Sequence, residues 1–242
     1  MENAGNLVVF VGGVKGGTGK SFVSMLGLHT FISKGIIPTL VETDTSNPDV
    51  YKTYQKKENE SDEKCKVLAY NIDDKDSWIM CMNQIYEIQE KHQGPVIINS
   101  AARDDKTLAE NGATLNIFPN LKTLWVINKH KDSIEQLKLY IEIVKSPICV
   151  IKNGIHGEEY SFDIFNKFNE KYKLSNIYLP VLFQELTDRL YNNREPYHVA
   201  MEHLSIFGRA LAPIDVAKLV DIFENALLYA YRPCDKGDNT VK

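Results

Sequence analysis

Cysteine is sparse and scattered. The 242 residues hold four, Cys65, Cys81, Cys149 and Cys234, and no Cys-x-x-Cys pair. That argues against a disulfide framework and against paired-thiol metal or iron–sulfur sites, and it points to a reducing compartment. The six histidines show no metal-ligand spacing, so each reads as surface or local packing. No apolar run approaches the ~20 residues that a membrane span needs. The first residues carry neither a basic region nor a signal-like segment, so a cytoplasmic protein is expected. Positive charge is also short, with 28 Lys and Arg against 32 Asp and Glu and a net charge of −4. A strong non-specific grip on DNA or anionic lipid comes from clustered Lys and Arg, and the composition does not advertise one. There are no repeats. Residues 1–234 read as one domain and 235–242 as a flexible C-terminal tail.

What is present alternates. Short apolar runs at 7–11, 36–41, 67–70, 95–99, 121–128, 147–152 and 176–180 predict strands. Between them, apolar residues near helical spacing predict helices at 22–33, 78–92, 132–145, 160–172 and 212–231. Asp132 or Ser133 is the expected cap of the helix at 132–145, and the highly charged stretch 52–66 reads as a helix end plus an exposed loop. Residues 212–223 are amphipathic but acidic on the polar side, which favours core packing over membrane binding. The alternation predicts an α/β fold, a doubly wound, mostly parallel sheet with helices on both faces.

The most informative stretch is Gly12-Gly13-Val14-Lys15-Gly16-Gly17-Thr18-Gly19-Lys20-Ser21. It falls where the first strand turns into the first helix. Glycines there let backbone N–H groups close around an anion, and the helix N-terminus adds partial positive charge. Lys20 can reach outer phosphates, and the Ser21 hydroxyl can ligate Mg²⁺. The bland alternative is a glycine-rich turn with two surface lysines, which this spelling and context disfavour. Polar segments also follow other strands: Glu42-Thr43-Asp44, Asn99-Ser100-Ala101-Ala102 and Asn153-Gly154. In parallel α/β sheets, ligands sit at that end of the strands. The Asp44 side chain could instead merely cap the following helix through Asx-type bonding, and Asn153 could be a turn residue of an Asn-Gly pair.

Counting back from Gly19-Lys20-Ser21, the usual first glycine of a phosphate loop falls at Val14, and a second lysine, Lys15, opens the loop. Here the chain resembles the ParA/MinD family of deviant Walker A P-loop ATPases, whose pattern is Lys-Gly-Gly-x-x-Lys-Ser/Thr. The resemblance implies ATP or ADP bound with Mg²⁺ by Lys15, Gly16, Gly17, Thr18, Gly19, Lys20, Ser21 and Phe22. It implies a nucleotide-dependent homodimer in which Lys15 reaches the partner's nucleotide. It makes Asp44 the switch I residue that orients the attacking water, so that Lys15, Lys20 and Asp44 form the catalytic set. Ser21, Asp44 and Asn99 would face the metal. Asn153 would read the adenine edge, which its amide donor and acceptor suit, and Pro180 and Val181 would border the base.

Asn99 departs from the pattern, which has Asp there. An amide brings no negative charge, so turnover is expected to be weak. Asp104 or Asp105 could substitute only if the loop folds back. No Thr-Lys-x-Asp guanine signature appears, which favours ATP over GTP. Within the family the chain looks like the TraL-type ATPases of conjugative plasmid transfer. The shared features are Asn47 after Asp44, Asn and Ala in switch II, the run from His156 to Phe162, and the segment from Arg194 to Ala200. The expected function is a slow ATP-driven dimeric switch acting on a protein partner. The alternative is a nucleotide-binding regulatory module with little hydrolysis; a metabolic enzyme would need a substrate motif that is not recognisable here.

Overall fold

Seven β-branched segments pair side by side: β1 (Val8–Gly13), β2 (Thr39–Glu42), β3 (Lys66–Ala69), β4 (Val96–Asn99), β5 (Leu121–Ile127), β6 (Ile148–Asn153) and β7 (Ser175–Leu179). The computed structural model describes residues 4–13, 16–55, 64–101 and 105–230. In it the strands form one sheet ordered β3-β2-β4-β1-β5-β6-β7, and every pairing is parallel. Parallel neighbours need crossovers, and helices supply them. These are α1 (Lys20–Ile32), α2 (Asp49–Tyr54), α3 (Lys75–Glu90), α4 (Asp105–Asn111), α5 (Lys131–Ile143), α6 (Asp163–Tyr172), α7 (Gln184–Tyr191), α8 (Tyr197–Glu202) and α9 (Ile206–Tyr229).

Successive strand residues point to opposite faces, and two cores follow. Val9, Val11, Leu40, Ile97, Leu124 and Val126 pack with α1 and α9. Val8, Phe10, Val41, Val96, Ile98 and Trp125 pack with α3 and α5. Both faces are covered, which is why the strands read as unbroken apolar runs. The same parity fixes the site: Glu42 continues the row of Leu40, and Asn99 that of Ile97, so both face α1.

Gly27 lies at the closest point of the α1 layer. A Cβ there would stand 2.6 Å from Phe223 Cζ and 2.7 Å from Ile97 Cδ1. The glycine lets α1 settle between the sheet and α9.

Several boundaries differ from expectation. Neither Asp132 nor Ser133 caps α5: its N-cap is His130, with no side-chain bond, and the Ser133 hydroxyl donates to Asn128 Oδ1 at 2.7 Å instead. The last helix begins six residues before Ala212 and runs through Pro213. A proline ordinarily favours a helix's first turn, but here Ser205 sets the start by accepting from Gly208 N at 3.1 Å. The short helices α2, α4, α7 and α8 carry too few turns to show periodicity. Cys65, Cys81 and Cys149 are buried free thiols. Lys15, Val14, Asp104, Cys234, the Asp105 side chain and the tail at 235–242 lie outside the described positions. Among the described residues, no helix is long and apolar enough to cross a membrane.

Candidate phosphate-binding site

The loop leaving β1 turns through Gly17 at φ 82° and Gly19 at φ 102°, the left-handed region where glycine is at ease. Gly19 is the N-cap of α1 and offers no side-chain cap. The first-turn N–H groups therefore meet no capping side chain from that position, and an anion would be their natural acceptor. Lys20 is buried at the head of the helix, 6% exposed, and Ser21 beside it is half-buried.

Two side chains, one from the last residue of β6 and one from just beyond it, brace this loop. Asn153 Nδ2 donates to the Thr18 carbonyl oxygen at 2.7 Å, and its Oδ1 accepts from Ile155 N at 3.2 Å. His156 Nε2 lies 3.1 Å from the Gly17 carbonyl oxygen. The fit is close: a Cβ on Gly19 would stand 2.2 Å from Asn153 Nδ2. Asn153 thus both shapes its own turn and supports the phosphate loop. Pro180 and Val181 are exposed just past β7, whose Leu179 is the register partner of Asn153. Phe22 points elsewhere. Its ring is buried and stacks on Tyr191 at 6.3 Å, with Tyr197 at 6.1 Å, so only its backbone remains for a nucleotide. The His156 brace went unread in the sequence, where only its neighbourhood after the Asn-Gly turn drew notice.

A second network joins the ends of β2 and β4, register partners at Glu42 and Asn99. Asn99 Nδ2 donates to Glu42 Oε1 at 2.8 Å. Asn99 Oδ1 accepts from Ser24 Oγ at 2.8 Å, one turn along α1 from Ser21. The Asp44 amide also donates to Glu42 Oε1, at 3.0 Å. Glu42 is fully buried, and no donor stands in good hydrogen-bond geometry to its Oε2, although the Tyr51 backbone at the start of α2 faces the carboxylate. Burial pushes its pKa up to about 7, against the hydrogen bonds from Asn99 and the Asp44 and Tyr51 backbones, which favour the charged form. Thr43 adds a clamp: its hydroxyl donates to the Asn99 carbonyl oxygen and accepts from Ala101 N, both at 2.9 Å.

Asp44 itself is half-buried, and its Oδ1 accepts from Ser46 Oγ at 2.7 Å and Asn47 N at 3.1 Å. These bonds close the turn before α2, whose N-cap is Pro48 with no side-chain bond, so Asp44 does not cap the following helix. Gly16 through Ser21, Asn153 and the end of β4 gather at the carboxyl edge of the sheet, around the point where the strand order reverses. The glycine cradle, the uncapped helix start and the unpartnered Glu42 oxygen suit a phosphate ester with its metal.

The all-parallel sheet, its strand order and the helices on both faces are the fold of the ParA/MinD-type P-loop NTPases. No family model matches the sequence. The chain is 35% identical to Protein MobD of Acidithiobacillus ferrooxidans over 214 residues, covering 84% of this chain and 90% of that protein; it belongs to the MobD family. The fold is similar to that of the MinD cell division protein of Aquifex aeolicus, with TM-score 0.62 and 16% identity over 95% of this chain and all of that one. It is also similar to a variant of Cyanothece McdA in complex with ATP, with TM-score 0.60 and 11% identity over 96% of this chain and 100% of that one.

Proposed function

We propose that the protein is an ATP-driven dimeric switch of the ParA/MinD type that hydrolyses ATP slowly and serves a protein partner in plasmid or DNA transfer. The single observation that carries the nucleotide half is the cradle at the head of α1: left-handed Gly17 and Gly19, an uncapped helix start and buried Lys20. The ATP bound to the similarly folded McdA supports adenosine triphosphate as the ligand. The switch and transfer roles rest on the resemblance carried by Lys15 and by the segments after β2 and β6.

In this reading, first-turn N–H groups and Lys20 hold the phosphates. Mg²⁺, when bound, offsets their charge and carries an ordered water shell. Ser21 would ligate it, with Asp44 and Asn99 facing its shell. Asp44 orients the attacking water, which requires it to give up part of its bonding to Ser46 and Asn47. Lys15 of a second copy completes the pocket, so ATP joins two subunits and its hydrolysis parts them, a population shift driven by differential affinity. The spare hydrogen and lone pair of the Asn153 amide meet the adenine edge, beside Pro180 and Val181.

A second reading is a nucleotide-holding module with little hydrolysis. It is favoured by Asn99, whose neutral side chain is already engaged by Ser24 and Glu42.

The deciding experiment pairs steady-state ATPase rates with sedimentation in ADP and in ATP, for the parent and for Lys15→Ala. The switch requires a dimer with ATP only, lost in Lys15→Ala. Identical mass in both nucleotides overturns it. A dimer without turnover selects the second reading.

A further inference from the structure

Every ParA/MinD-like expectation places the second carboxylate of the site at the end of β4, where this chain has Asn99. The neighbouring strand answers that gap. Glu42 ends β2 in register with Asn99 and on the same face, the one covered by α1. Its Oε1 is held from two sides, by Asn99 Nδ2 at 2.8 Å and Asp44 N at 3.0 Å. Its Oε2 is buried with no donor in good hydrogen-bond geometry, the Tyr51 backbone of α2 being the further donor that faces the carboxylate. A buried carboxylate oxygen left unpaired is costly, and native structures keep few of them unless something binds there. Asn99 is the fitting neighbour, because an amide donates to a carboxylate where a second carboxylate would repel it. The pair is tied to α1 through Ser24, one turn from the hydroxyl of Ser21. A strand spacing of ~4.8 Å separates β2 from β4, and the additional methylene of Glu over Asp recovers part of that distance.

We propose that Glu42 supplies the carboxylate of the Mg²⁺ shell, its Oε2 accepting from a metal-bound water, with Asn99 as the positioning residue that holds Oε1. The acidic function has moved one strand outward, from β4 to β2. This rests on the nucleotide-binding reading above.

The test is a titration with a fluorescent ADP analogue, in Mg²⁺ and in EDTA, on the full chain. The parent should bind about tenfold tighter with Mg²⁺, the equivalent of roughly 1.4 kcal/mol. Glu42→Gln, which keeps the shape and the acceptor for Asn99, should lose that gain while its affinity in EDTA stays within about twofold. Adding Asn99→Asp to Glu42→Gln should restore it, because the charge returns to the adjacent strand. Glu42→Gln that keeps the Mg²⁺ gain overturns the proposal. So does a double variant with no gain, since the loss at position 42 would then be a packing effect; the double variant also carries the test if the single one fails to fold. Lys20→Ala separates the two readings. A parent that binds no analogue, or binds it as Lys20→Ala does, overturns the nucleotide reading itself, whereas binding that depends on Lys20 but gains nothing from Mg²⁺ overturns only the role of Glu42.

Discussion

Asn153 Nδ2 donates to the carbonyl oxygen of Thr18 at 2.7 Å, across 135 positions of sequence. The bond makes the end of β6 a support for the phosphate loop. Asn153→Ala would leave the Thr18 carbonyl and the Ile155 amide without this partner. The expected loss is about 2 kcal/mol in chemical denaturation, in line with orphaned buried groups, together with weaker ADP binding. Asn153→Asp should bind ADP more weakly still, because a carboxylate facing the Thr18 carbonyl cannot donate.

Gly19→Ala meets two obstacles. Its φ of 102° is strained for any residue with a Cβ, and that Cβ would stand 2.2 Å from Asn153 Nδ2. The backbone strain alone costs about 1–2 kcal/mol. Combining it with Asn153→Ala removes the steric part. The double variant should therefore be less destabilised than the two single losses added together, by about 1 kcal/mol. Strict additivity in urea melts would show that the two positions do not press on one another.

Gly27→Ala sets helix propensity against packing. Alanine in a helix interior gains about 1 kcal/mol over glycine. Against that, the new Cβ would press on Phe223 and Ile97 at 2.6 and 2.7 Å, and overpacking costs about 1–3 kcal/mol. The variant should melt a few degrees below the parent, and Phe223→Leu in the same chain should recover part of the loss. A rise in melting temperature for Gly27→Ala would mean that α1 has room to move.

The chemistry was legible in the sequence where it is local. The glycine loop, its lysine and its serine occupy consecutive positions at a strand-to-helix turn, and the strands announce themselves because both faces of the sheet are covered. What stayed hidden depends on register. Nothing in the sequence says that Glu42 stands opposite Asn99, that Ser24 reaches Asn99, or that His156 returns to Gly17; pairing of distant strands decides these. The start of α9 is masked by Pro213, which locally signals a first turn, while the cap at Ser205 is held by Glu185, whose Oε1 accepts from its amide at 2.7 Å.

His29 gives a pH dependence of known sign. It is buried and stacks on Tyr197 at 5.1 Å between ring centres. Burial, with repulsion from His198, lowers its pKa from 6.5 to about 4. The unfolded chain therefore binds a proton that the folded chain refuses, and stability falls as the pH drops from about 6.5 through about 4. The full effect is about 3 kcal/mol. Glu42, raised from 4.5 to about 7, acts in the opposite direction as the pH rises through that range. The clean measurement is the difference between the parent and His29→Gln, in which the Glu42 contribution cancels. On acidification the parent should lose stability relative to His29→Gln, by up to about 3 kcal/mol; a pH-independent difference would refute the assignment.

The hydroxyl of Thr43 holds the Asn99 carbonyl and the Ala101 amide at once. The segments departing from β2 and β4 therefore leave from one pinned point. A pull on either is felt by both, as by two arms of a single lever.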